Sequence, residues 1–488
     1  MRKVFILCLS ITILSIACTE SPVINVTRLR CEQLSDPVGI DRVSPALSWE
    51  IVCADRDIHQ VSYRILVASS LEKLNADNGD LWDSQDVNSD ESVYIPYNGR
   101  KPESRSVYFW KVKVTTNKGA SQWSDPAQWS MGLMNQSDWK AQWTGLDKSF
   151  PGDVTEGKTR LSARYFRKEF DLDKEIRKAD LYVSGLGFYE AYINGTRIGT
   201  QVLSPTPTDY SKVVKYNTFD VTRQVLSGKN AIGISLGNGR YFSMRPPHVR
   251  HFGFPKMILQ LEVEFTDGSR QVVVSDDTWK VTANGPIRTN NEFDGEEYDA
   301  RMEMPGWNKA GFDDSLWEKA EQVSAPEGKL EAQINRNIKV MEVIRPVSIS
   351  ESGNGKYIMD MGQNMVGWLR MKVKGNKGDQ VQLRFAEILK DDGSIYLDNI
   401  RSALVTDKYT LKGGETESWE PAFTYHGFRF VEITGFPGKP ATGDFEGMVV
   451  YDEMDVTGHF ETSDKTINQI YKNAYWGIRG NYRGMPTD

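Results

Sequence analysis

For more than four hundred residues this chain is written in period two. From Val23 to Asp455, short runs of alternating apolar and polar residues recur, separated by Gly, Asn, Asp and Pro clusters. Runs of this kind include Ala46-Leu47-Ser48-Trp49-Glu50-Ile51-Val52, Val107 to Val114, Gly367 to Val373 and Gly427 to Ile433. Strand side chains alternate between faces whereas helical ones repeat every 3.6 residues, so this pattern admits stacked β-sheets and little else. Asn194-Gly195, Ser227-Gly228, Asn238-Gly239 and Asp267-Gly268 supply the turns. Then the period changes. From Ser463 the apolar residues fall at Ile467, Ile470, Tyr471, Ala474, Tyr475 and Ile478, one face of a helix with Ser463 or Asp464 as N-cap. Ten residues follow Ile478, too few to cover that face. The expectation is a stack of β-domains opening into an uncompleted helical domain, whose stretch from Ser463 onward frays.

At 488 residues the chain exceeds one ordinary core, so about three domains are expected. The formal charge of −7, with no long basic run, makes nucleic acid and anionic membranes poor partners. Arg2 and Lys3 precede an apolar stretch, Val4 to Ala17, that is short for a membrane span and ends at Ser15-Ile16-Ala17-Cys18. This reads as a signal of lipoprotein type with Cys18 as the lipid-bearing residue, in preference to a plain secretory leader. The protein is expected in the periplasm or at the outer membrane. Cys31 and Cys53 could face each other across a hairpin as a disulfide, or remain two buried thiols. No Cys-x-x-Cys or His-Glu-x-x-His spacing suggests zinc.

The pattern divides into a leader (1–18), a fibronectin-III-like sandwich (23–133), a jelly roll (137–335), a further concanavalin-like sandwich (338–455) and the helical opening (456–488). Trp49 and Trp110 read as sandwich core. Asp294, Glu296, Glu297, Asp360 and Glu387 show no acid/base spacing and read as surface or turn carboxylates.

Several motifs occur in a fixed order. They include Trp139-Lys140-Ala141-Gln142-Trp143, Gly187 to Gly195, Thr208-Asp209-Tyr210, Tyr216 to Thr222, and Leu236-Gly237-Asn238-Gly239. After these come Asp294 to Arg301, Met361-Gly362-Gln363-Asn364, Phe385 to Leu389, and His426-Gly427-Phe428-Arg429-Phe430. The ordered set resembles the N-terminal portion of bacterial α-L-rhamnosidases that carry an (α/α)6 catalytic barrel. The resemblance implies inverting hydrolysis of terminal non-reducing α-L-rhamnose in glycans or glycosides, with no cofactor required. It places Pro486-Thr487-Asp488 at the front of a barrel signature, makes Asp488 a sugar-contacting carboxylate, and puts the general acid and base beyond it. Inversion needs two carboxyl groups about 6.5–9.5 Å apart, one protonated and one ionised, so catalysis by these 488 residues alone is not expected.

The resemblance also implies a jelly roll that binds rhamnose with calcium in some relatives. Asn194, Asp209 and Asn238 are the candidate oxygen ligands, and Tyr189, Tyr210 and Tyr241 candidate sugar platforms. The competing reading makes the asparagines turn residues and the tyrosines core. Pro205-Thr206-Pro207 departs from the family, where many members carry tryptophan. Two other functional classes stand beside the glycosidase: a non-catalytic rhamnose-binding surface lipoprotein, and a structural or adhesive β-array.

Overall fold

The computed structural model describes residues 23–154, 160–242 and 252–487. The leader with Cys18, and Asp488, lie outside those residues. The chain is mainly β and forms two compact units.

The first unit is a sandwich spanning most of residues 23–129. One sheet orders Asn25–Cys31, Ala46–Val52 and Ile95–Pro96; the other is built on Gln60–Ala68 paired with Val107–Thr116. Trp49 and Trp110 are buried, as expected of large aromatics that dominate such cores. Trp49 packs edge-on against Tyr63 at 5.1 Å, and its indole N–H donates to Gln60 Oε1 at 3.0 Å. Cys31 pairs with Leu47 across the hairpin, whereas Cys53 follows Val52, the partner of Asn25 at the other end. Six residues at about 3.3 Å each, from Leu47 to Cys53, separate the two sulfurs' positions, beyond any disulfide. Both thiols are free, and of the two only Cys31 is buried.

The second unit begins with two facing sheets. In one, Lys256–Phe265 and Ile176–Leu186 are central; in the other, Gly228–Gly237 lies between Phe188–Ile193 and Arg164–Leu172. Their inward residues, among them Phe166, Leu181, Ile234, Leu259 and Trp279, make one buried cluster. A ten-stranded sheet follows, in the order Ile287–Asn291, Gly295–Asp299, Thr406–Thr410, Gln380–Ala386, His426–Thr434, Lys356–Val373, Phe445–Asp452 and Ile338–Ile344, with Ser348–Gly353 and Glu417–Trp419 also pairing with Lys356–Val373. Its first two strands come from the jelly-roll stretch of the sequence, so sheet membership does not follow chain order. Tyr165, Phe188, Trp368, Phe423 and Met448 form a core shared by the two regions.

Lys356–Val373 positions the site described below. Its register with His426–Thr434 jumps from Asp360↔Phe430 to Met365↔Phe428, leaving Met361 to Asn364 opposite Arg429 alone. Gly362 at φ +72° takes the sharp backbone of this bulge, and its N–H donates to Asp360 Oδ1 at 2.7 Å. The strand's second half then pairs with Phe445–Asp452 and Glu417–Trp419.

The helix Lys465–Asn481 is capped by Asp464, whose side chain accepts from Thr466 and Ile467 N–H. Ile467, Ile470, Tyr471 and Ile478 are exposed on it, as the sequence implies. The expectation that it frays for want of partners is corrected by its other face. Arg479 is buried there, donates to Glu342 Oε2 at 2.5 Å, and lies 4.5 Å from the Tyr451 ring centre and 4.4 Å from that of Trp476. Arg479 on Tyr451 and Glu342, together with Trp476 packed against the core of the ten-stranded sheet, docks this helix.

Candidate functional site

The bulge and the docked helix enclose a cleft of about 610 Å³. Three separated motifs meet in it. Met361-Gly362-Gln363-Asn364 presents Gln363 and Asn364; Phe385 to Leu389 presents Glu387; the helix contributes Asn473, Trp476 and Arg479. Asn364 Nδ2 donates to Glu387 Oε1 at 3.0 Å, and Asn399 Nδ2 to Oε2 at 3.2 Å. Asp360, below the bulge, forms a bidentate pair with Arg429 at 2.8 and 2.9 Å, which holds the Asp360 carboxyl below its ordinary range. His426 lies deeper, buried against Phe385 at 4.1 Å with Nε2 3.0 Å from Asp407 Oδ1. It is buried and does not line the cleft.

The cleft suits a neutral polyhydroxylated ring. Trp476 offers an apolar edge, and planar amides and a carboxylate offer acceptors and donors at fixed positions. Among the described residues that line it, Glu387 is the single carboxylate, and it is held by two amides.

Past the helix the backbone is fastened at nearly every residue. Asp452 Oδ1 accepts from Gly484 N–H at 2.6 Å, and Asn335 Nδ2 donates to Gly484 O at 3.1 Å. Arg483 is buried, stacks 4.0 Å from the Tyr425 ring centre and donates to Tyr425 Oη at 3.0 Å. Tyr425 in turn donates to Glu292 Oε1, whose other oxygen takes Arg240 Nε at 2.5 Å. Thr487 donates from its N–H and hydroxyl back to Asn481.

The calcium candidates do not converge. Asn194 and Asn238 sit just beyond opposite ends of the ladder between Phe188–Ile193 and Gly228–Gly237, roughly 20 Å apart at about 3.3 Å per residue. Asn194, at φ +52°, spends its amide on Gln224 O, Asn230 Oδ1 and Ala231 N–H, which is the turn role. Asn238 is buried and donates to Leu161 O and Asn290 O. Asp209 accepts from Ser211 and pairs with Lys212 at the surface. These residues do not fit a six- to eight-oxygen calcium shell. Tyr189, Tyr210 and Tyr241 are likewise buried; Tyr189 donates to Asn217, and the other two pack edge-on at 5.4 Å.

The carboxylates read as surface groups divide. Glu297 bridges Arg160 and Lys408. Asp294, buried in the turn between its two strands and bonded to Asn291 and Leu404 N–H, has the turn role, whereas Glu296 is buried on a strand against Ala422 and Phe423 N–H and corrects the surface-or-turn reading. Trp476 and Arg479 were missed as site residues. Their signal was the helix's second face, where an arginine and a tryptophan three apart share one side.

Four family models match the chain. They are the Rha78A-like N-terminal immunoglobulin domain over residues 26–135, the alpha-L-rhamnosidase N-terminal domain over 174–342, the bacterial alpha-L-rhamnosidase concanavalin-like domain over 350–451, and the bacterial alpha-L-rhamnosidase 6 hairpin glycosidase domain over 455–488. An alpha-L-rhamnosidase of Formosa agariphila is 38% identical over 466 residues, covering 94% of this chain and 50% of that protein. The solved alpha-L-rhamnosidase of Dictyoglumus thermophilum superposes with a TM-score of 0.89 at 41% identity, over 96% of this chain and 53% of that one. That of Streptomyces avermitilis, complexed with L-rhamnose, gives 0.86 at 30% identity, over 96% and 61%. The chain spans about half the length of the curated relatives it matches. It belongs to the bacterial α-L-rhamnosidases and carries their immunoglobulin-like, N-terminal and concanavalin-like domains together with the opening residues of the six-hairpin domain.

Proposed function

We propose that the protein serves inverting hydrolysis of terminal non-reducing α-L-rhamnose in glycans or glycosides, with the described residues acting as the platform of the reaction. The locked turn Tyr482–Thr487 carries this reading. A carboxylate that contacts sugar must be held to within a fraction of an ångström, and the Gly484 and Thr487 bonds hold the backbone that leads into Asp488. On this reading the acid and base lie beyond Asp488, in a protein of the relatives' length. The uncovered stripe of Ile467, Ile470, Tyr471 and Ile478 is the surface on which further helices would close. Turnover of 4-nitrophenyl α-L-rhamnoside tests this. The 488-residue chain should release no nitrophenolate above background, and a full-length protein bearing the same domains should release β-L-rhamnose first, followed by NMR. Enzymatic turnover by these residues alone, or retention of configuration, would end the proposal.

Export as a lipoprotein is part of the same reading, supported by the residues leading to Cys18. Palmitate labelling of cells expressing the protein should mark it, and Cys18→Ser should remove the label.

A further inference from the structure

A second, smaller cavity of about 230 Å³ opens on the ten-stranded sheet, well away in sequence from the helix cleft. The register explains its lining. Thr289, Glu297, Lys408 and Gln382 are successive cross-strand partners and so project from one face. Arg384, two residues from Gln382, joins that face beside Thr406. Arg160 reaches in and shares Glu297 Oε1 with Lys408, at 2.9 and 3.0 Å.

Charge here is unbalanced. Arg160, Arg384 and Lys408 line it with two carboxylates, Glu297 and Asp294, both Asp294 oxygens being taken by Leu404 N–H and Asn291 Nδ2, while Glu432, the cross-strand partner of Arg384 on its other side, pairs with Lys356 at 3.6 Å. The Arg384 side chain has no hydrogen-bond or ion-pair partner among the described residues, and its Nε is buried. A buried guanidinium N–H without an acceptor is unfavourable, and a planar fork of donors matches the geometry of a carboxylate or sulfate. The cavity lies below the roughly 300–1,000 Å³ of whole small-molecule sites, and matches one charged substituent better than a ring.

We propose that this cavity binds an oxyanion substituent, a carboxylate or a sulfate ester, with Arg384 as the principal ligand and Lys408 beside it. Its assignment to an acidic saccharide rests on the glycosidase reading above, while oxyanion binding itself does not.

The test uses the whole chain and reads binding rather than turnover. Calorimetry and thermal unfolding are run with sodium sulfate and with sodium galacturonate, against sodium chloride at equal ionic strength and against neutral galactose. Saturable binding of sulfate, galacturonate or both is expected, with none for galactose. Arg384→Gln should weaken the bound anion at least tenfold, Lys408→Met should weaken it less, and Arg223→Gln, an exposed arginine elsewhere, should leave it unchanged. Sulfate alone would identify a sulfate-ester site, galacturonate alone a uronate site, and both a general oxyanion site. Should Arg384→Gln fail to fold, Arg384→Lys, which keeps the charge and loses the fork, must still weaken binding. Equal anion responses in the native chain and the Arg384 variants, or no saturable binding, would overturn the proposal.

Discussion

Replacing Arg479 with alanine should release the C-terminal helix while the β-sheets stay folded. Arg479 is 7% exposed and stacks on Tyr451 and Trp476, with Tyr475 at 5.1 Å. A cation over an aromatic face contributes about 0.5–1 kcal/mol when exposed and about 2 kcal/mol when desolvated. Tyr475 and Trp476 lie on the same helix, so release breaks only the Tyr451 contact, whose desolvated setting gives the larger figure once. The Glu342 partner is 42% exposed along its side chain, so solvent screening limits that ion pair to under about 1 kcal/mol. Together these give about 2–3 kcal/mol, or about 30- to 150-fold in the opening equilibrium. Ile470 is 62% exposed, so Ile470→Ala should change that equilibrium by less than about 0.5 kcal/mol. Hydrogen exchange followed by mass spectrometry on peptides covering 465–481 makes the comparison. Arg479→Ala should speed exchange along the whole helix by the stated factor, and Ile470→Ala should leave it within about threefold of native. The reverse order would show that the apolar stripe docks the helix and would refute the cation-based account.

Three further outcomes follow from the sheets. Burial raises the Glu296 carboxyl to about 8, with Asp407 adding to the shift; the folded chain keeps a proton there that the unfolded chain loses above about pH 4.5. Stability should therefore fall by about 1.4 kcal/mol per pH unit from roughly pH 5 to 8 and then level off, and urea midpoints for Glu296→Gln should lack that slope. Gly367 sits at φ +150°, and an added Cβ would overlap Met448 O, so Gly367→Ala should lower the unfolding free energy by more than about 1 kcal/mol, read as a lower urea midpoint with an unchanged m-value. In a chain beginning at Val23, a maleimide should label Cys53 under native conditions and Cys31 only after unfolding, since Cys31 is buried and its thiol is pushed up by desolvation.

Much of this molecule was legible from its residues. Period-two runs gave the strands, Asp464 gave the helix start, and Trp49 and Trp110 were core as their size demands. Such features depend on each residue's own backbone and nearest neighbours, which sequence periodicity reports directly. The motifs around Gln363, Glu387 and His426 were visible too, but not their meeting point, because a cleft is a property of strands paired across many residues.

The hairpin Ile287–Asp299 left its own stretch for the ten-stranded sheet, and Asn194 and Asn238 came to opposite ends of one ladder. The helix turned its isoleucines outward and docked through an arginine and a tryptophan. None of these outcomes is encoded locally. Composition and spacing decide whether a segment becomes a strand or a helix; which sheet it joins, and which face it buries, is settled by competition among long-range pairings, whose energies exist only once the chain has closed on itself.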